Sequence, residues 1–182
     1  MFIQTEPTPN PATLKFLPGR VVMESGTANF TTAADAKPSP LAERLFGLEG
    51  VTGVYLGADF ITVSKAADLD WLNLKPVVLA AIMDHFTSGQ PVMTGAAPAA
   101  DASEDEDDEV VSQIKELLET RVRPAVAQDG GDIIFHSFED GVVYLHMQGS
   151  CAGCPSSTAT LKAGIENMLR HYIPEVRAVS PV

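Results

Sequence analysis

Apolar positions along the chain follow two different periods, and the change from one to the other marks the elements. TLKFLP, beginning at Thr13, reads as a strand. SPLAERLFGLEG sets Leu41, Leu45 and Leu48 at helical spacing behind a Ser-Pro start. VTGVYLGADFITVSK divides into two β-rich runs joined by Gly57, Ala58 and Asp59. DWLNLKPVVLAAIMDHF then predicts a helix with Leu72, Val78, Leu79, Ile82 and Phe86 on its buried stripe. Pro76 in this run predicts either a kink or a late start.

A second patterned region follows. Val110, Val111, Ile114, Leu117, Leu118 and Val122 keep a helical period; Pro124 disturbs the last turns, and Gly130 and Gly131 end them. DIIFHSF and VVYLHM are strands joined across Glu139, Asp140 and Gly141, and Asp-Gly between β-rich runs is a strong hairpin signal. GSCAGCPSS is a turn. STATLKAGIENMLRHY is a helix expected to bury Leu161, Ile165, Met168, Leu169 and Tyr172, and EVRAVSPV adds a last strand. The order α-β-β-α-β makes an α+β unit of about 70 residues, small for a lone core.

The chain therefore reads as α+β, with two small mixed domains at 1–93 and 110–182 joined by a linker at 94–109. That linker begins Ala/Pro-rich and places seven acidic residues between Asp101 and Glu109. Of the formal net charge of −12, −3 falls in 1–100, −7 in 101–109 and −2 in 110–182. Such a run is expected to be a self-repelling, flexible, solvated tether. The overall charge argues against an electrostatic grip on nucleic acid or on an anionic membrane surface. No run approaches the roughly 18 apolar residues of a spanning helix. The stretch MFIQTEPTPNPATLKFLPGR has neither a signal-like nor a transit-like pattern, so the chain is expected to stay in the compartment where it is made.

The two cysteines of the chain, Cys151 and Cys154, form a single CxxC, which in a reducing compartment indicates metal or redox chemistry. They fall between a strand and a helix start, where unpaired N–H groups and the helix dipole favour thiolates. Gly149 and Gly153 allow a sharp turn and Pro155 suits the first helical position, so the turn is expected to present both sulfurs outward. Two thiolates leave a soft metal site incomplete, since zinc and the common iron–sulfur clusters take about four ligands. His85, His136, His146 and His171 are each expected to have ordinary surface or half-buried roles. The simplest route to four sulfurs is a two-fold dimer in which each chain supplies both cysteines. A structural cysteine pair, a thioredoxin-type dithiol exchanger and a shared zinc site are the alternatives on motif grounds. The Asp129–Asp132 turn is too short for a calcium loop and is expected to cap a helix. The sequence contains no phosphate-binding GxxxxGK[ST] and no Ser/His/Asp arrangement.

The stretch RPAVAQDGGDIIFHSFEDGVVYLHMQGSCAGCPSSTATLKAGIENMLRHYIPEV resembles the C-terminal domain of NifU-like (Nfu-type) iron–sulfur scaffold proteins, with the DGGD turn, the GSCxGCPSS loop and the TLKxGIE helix as its marks. PTPNPATLKFLPG, SPLAERLF, GVTGVYLGADFITVSK and WLNLKP resemble the N-terminal domain of the mitochondrial and α-proteobacterial branch. The resemblance spans nearly everything but the acidic linker, with no departure at the cysteine loop. It implies a scaffold or carrier, not an enzyme, that holds a [4Fe–4S] cluster, one per homodimer, on Cys151 and Cys154. A [2Fe–2S] cluster is the other type that four thiolates hold. The implied partners are an upstream cluster donor and apo-proteins such as aconitase or lipoyl synthase, with neither nucleic acid nor membrane involved. The N-terminal domain is implied to select partners. The expected compartment is a bacterial cytoplasm, or the mitochondrial matrix if a presequence has been removed.

Overall fold

A computed structural model describes residues 2–95, 108–152 and 155–182, and the side chains among them except those of 155–158. The chain forms two units, Met1–Pro98 and Ala99–Val182. Most of the expected linker, residues 96–107, lies outside the described residues. The fold is α+β.

The first unit is an antiparallel sheet in the order β1-β2-β5-β4-β3, with β1 at Gln4–Pro7, β2 at Thr13–Leu17, β3 at Ala28–Phe30, β4 at Val51–Leu56 and β5 at Ile61–Lys65. Alternation decides its faces. Phe16 pairs with Ile61, Ile61 with Leu56 and Leu56 with Ala28, and all four are buried in one core. On that core lie helix α1, Pro40–Phe46, and helix α2, Trp71–Ser88. Ser39 caps α1, its Oγ accepting from the Ala42 N–H at 3.1 Å. Asp70 caps α2 through the Leu72 N–H at 3.1 Å.

Two expectations about α2 need correction. The helix starts at Trp71, so Pro76 lies inside it and does not delay its start. Its missing N–H falls opposite the Leu72 carbonyl, at the exposed end of the helix. The buried face is Leu74, Val78, Ala81, Ile82 and His85, whereas Leu72 is 81% exposed. Of the expected stripe, Val78 and Ile82 are fully buried and Leu79 and Phe86 pack partly buried against the core; apolar residues occupy so much of the circumference that the period alone also admits Leu72.

His85 is fully buried, contrary to the surface or half-buried role expected of it, and no hydrogen bond reaches either ring nitrogen. Burial is the main cause holding its pKa below 6.5, and the Arg44 charge adds to it. The backbone of Gln90 and Pro91 offsets this in part without reaching hydrogen-bond geometry. The unfolded chain thus takes up the proton more readily than the folded one. The share of this unit's stability set by His85 should therefore be fully present above about pH 6.5 and fall as pH drops below it. Trp71, the single tryptophan, sits in the same helix with its Nε1–H on the Pro11 carbonyl. The urea midpoint read from its fluorescence should decline below pH 6.5, and His85→Leu should flatten that decline. An unchanged slope in the variant would assign the effect elsewhere.

The second unit begins with α3, Glu109–Leu117, which passes into a π turn, Leu118–Val122, and resumes as α4, Arg123–Gln128. The Arg123 N–H donates to the Leu118 carbonyl five residues back. Pro124, with no N–H to give, follows at once, and this is the form its expected disturbance takes. Strands β6, Gly131–Glu139, and β7, Val142–Gly149, pair antiparallel, and β8, Ala178–Pro181, runs parallel to β7 beyond helix α5, Pro155–Tyr172. Ile114, Leu118, Ile133, Val143, Leu145, Ile165, Leu169 and Val179 form the core. Tyr172, expected inside, is 49% exposed with the Arg121 guanidinium 5.2 Å from its ring, and Ile173 is buried instead.

Candidate functional site

Strand β7 buries Val143 and Leu145 and ends at Gly149, which sits in the left-handed region at φ 62°. The chain then turns through Ser150 and Cys151 toward α5, and returns along β8. The cysteine loop therefore occupies the carboxyl end of a strand just ahead of a helix, the position in a strand–helix–parallel-strand unit where anionic groups are held.

The loop is fastened to the turn that precedes β6. The Ser150 N–H donates to the Gly130 carbonyl at 3.2 Å, and the Ser150 hydroxyl donates to the Asp129 carbonyl at 2.5 Å. The Ala152 N–H closes on the Gly149 carbonyl at 3.2 Å. Gly131 pairs directly with Gly149 across the sheet. A Cβ added at Gly131 would fall well inside contact distance of Cys151 Sγ and 3.0 Å from both the Cys151 nitrogen and Ser150 Oγ. Cys151 thus fills space that only a glycine leaves open.

This corrects the expectation that both sulfurs point outward. Cys151 is 6% exposed and belongs to the core of the unit. Cys154 lies outside the described residues. The histidines do not gather at the loop. His146 is exposed on β7 opposite Ile134, and His136 sits at the β6 bulge with Nδ1 3.2 Å from Ser137 Oγ. His171 stacks edge-on against Tyr172 at the far end of α5. Among the described residues, no three His, Cys, Asp or Glu side chains come together as a metal site.

Sequence reasoning missed a second layer of this site. Asp132 is 3% exposed and points inward, and Arg123 grips it with Nε on Oδ1 at 2.9 Å and Nη2 on Oδ2 at 2.8 Å. Asp132 Oδ1 also accepts from the Ile133 N–H at 2.8 Å. Arg123 Nη1 reaches Glu119 one turn earlier. The Asp132 hydrogen bonds, chief among the causes, hold the guanidinium still more firmly in its charged form. The available signal was the DGGD turn itself, with an arginine shortly before it.

The family model described as "Scaffold protein Nfu/NifU N terminal" matches residues 3–89, and that of the NifU-like domain matches residues 114–180. The human protein named NFU1 iron-sulfur cluster scaffold homolog, mitochondrial, is 57% identical over 183 residues, covering 100% of this chain and 72% of that protein. The chain belongs to the Nfu/NifU family of iron–sulfur cluster scaffolds. Another member of that family, NifU-like protein 4, mitochondrial, from Arabidopsis thaliana, is 54% identical over 184 residues, covering 98% of this chain and 65% of that protein. The chain thus spans about two thirds to three quarters of these Nfu relatives. The solution structure of a NifU-like protein from Saccharomyces cerevisiae is 25% identical, with a TM-score of 0.48, over 53% of this chain and 87% of that one. The human relative is named as an iron–sulfur cluster scaffold, not as an enzyme.

Proposed function

We propose that two copies of this chain hold one iron–sulfur cluster as cargo between Cys151 and Cys154 of each, and pass it to apo-proteins. The observation that carries this reading is the match to the NifU-like domain over residues 114–180, within which the cysteine loop sits at a strand–helix turn suited to anionic groups. The chain has two cysteines in all, so four sulfurs require a second chain. A cluster shared in this way is released when the subunits separate, which suits delivery. The preferred cargo is [4Fe–4S], with [2Fe–2S] as the alternative type. Recipients of the aconitase or lipoyl synthase kind and an upstream donor are the proposed partners. Nothing observed favours thiol–disulfide exchange.

Residues 1–93 contain no cysteine, and we assign them to client selection; the exposed Leu72, Val77 and Met83 on α2 support that role. Residues 94–109 tether the two domains. The relatives are mitochondrial by name, which supports the matrix and lends nothing to the bacterial cytoplasm. Among the described residues no helix is long and apolar enough to cross a membrane, and the net charge of −12 disfavours nucleic acid.

Anaerobic loading with iron and sulfide, followed by Mössbauer spectroscopy and native mass measurement, tests the reading. About one cluster should load per two chains, and the loaded species should have twice the chain mass. A monomer carrying a complete cluster would overturn the shared site.

A further inference from the structure

We infer that Arg123 is a positioning residue for the cluster site, acting through Asp132 and the Asp129–Gly131 turn on Cys151. This rests on the proposed role of Cys151 as a ligand. A carboxylate buried as deeply as Asp132 needs compensation, and Arg123 supplies it with both arms of its fork. The compensated residue is not remote from the site. It directly follows Gly131, whose missing side chain makes room for Cys151 Sγ, and Gly130, which is held at φ 78° and accepts from the Ser150 N–H. The turn is therefore pinned from both sides, by Ser150 from the cysteine loop and by Arg123 from α4. If the arginine served only its own helix, the Glu119 pair one turn away would suffice. The fork reaches across to β6 instead, and the π turn immediately before Arg123 sets the direction in which it leaves the helix.

Such a clamp makes two demands that a simple stabilising ion pair does not. It keeps Cys151 covered while the rest of the unit stays folded, and it fixes the geometry that a bound cluster experiences. Lysine retains the charge of Arg123 but cannot span both oxygens of Asp132.

The test uses full-length protein in two arms. In the apo-protein carrying Cys154→Ser, iodoacetamide labels Cys151 whenever the loop opens. Arg123→Lys should speed that labelling about tenfold, beyond what any change in the unfolding midpoint explains, and Asp132→Asn should shift it in the same direction. With both cysteines present, Arg123→Lys should alter the visible circular dichroism of the loaded protein and speed cluster loss to a chelator about tenfold. Wild-type labelling, spectrum and release in both variants would overturn the clamp. It would equally be overturned by faster labelling fully matched by loss of global stability in both, because Arg123 would then only support the fold. If the unsubstituted protein takes up no cluster, the proposed function fails, and the labelling arm still decides whether Arg123 governs access to Cys151.

Discussion

Replacing either Cys151 or Cys154 with Ser should remove nearly all cluster binding, with neither change much milder than the other. The reason is symmetry: in a two-fold site one substitution per chain deletes about two of four sulfurs, and an incomplete thiolate set does not retain the common clusters. Iron and sulfide content after anaerobic loading should fall to near background in both variants. Fold should survive, since serine differs from cysteine by one atom and Cys151 contributes only part of a core built on Ile133, Val143, Leu145 and Leu169. A dithiol exchanger behaves differently, because one cysteine attacks and the other resolves, so the two variants would trap different mixed disulfides. Full cluster content in either variant, together with brisk disulfide reduction by the unsubstituted protein, would replace the scaffold reading with that one.

Gly131→Ala should damage the site as severely, although it removes no ligand. The added methyl meets Cys151 Sγ, the Cys151 nitrogen and Ser150 Oγ at once, and all three belong to the loop that must hold the cargo. Gly131 is not among the glycines in the left-handed region, so the penalty is one of space and not of backbone conformation. Overpacking of this kind costs about 1–3 kcal/mol, and here it falls directly on the cysteine loop. Cluster loading should drop at least tenfold, by the order of magnitude seen when supporting residues of metal sites are lost. Gly164→Ala is the control. That glycine lies mid-helix in α5, and a Cβ there finds nothing within 4 Å, so the change should stabilise by about 0.5–1 kcal/mol and leave loading intact. Equal loading by both variants would show that the space under Cys151 is not needed.

Much of the fold was legible because the burial pattern and the chain period coincide. The β6–β7 hairpin followed from two β-rich runs around Asp140-Gly141, and both residues of that turn have positive φ. Helix α5 was legible from Ile165 and Leu169, both buried. Strands β1 and β3 were not, for a physical reason: each is an edge strand of the first sheet, β1 being QTEP with no apolar alternation and β3 only three residues long, too short for its alternation to be read. Helix α2 was found with Val78 and Ile82 correctly inward, but the period also drew in Leu72, which is exposed, and passed over Leu74, Ala81 and His85.

The site divides in the same way. The cysteine loop announces itself through residue types that chemistry restricts. The burial of Cys151 does not, because it depends on a void at Gly131, and a void is a property of two strands in register rather than of either one. The Arg123–Asp132 pair was hidden similarly. Both residues are visible in the sequence, but whether they meet depends on how far the helix has turned by the time it reaches Arg123.

That last dependence makes length, as distinct from identity, a heritable property of the segment. The turn at Leu118–Val122 closes on a bond five residues back and so contains one residue more than an α-turn spans. Losing a single codon there would keep Arg123, Asp132 and every residue of the cysteine loop, yet change the turn from which the guanidinium leaves for β6. Exchanging side chains along the outer face of the segment should therefore disturb the Arg123–Asp132 contact less than changing its length.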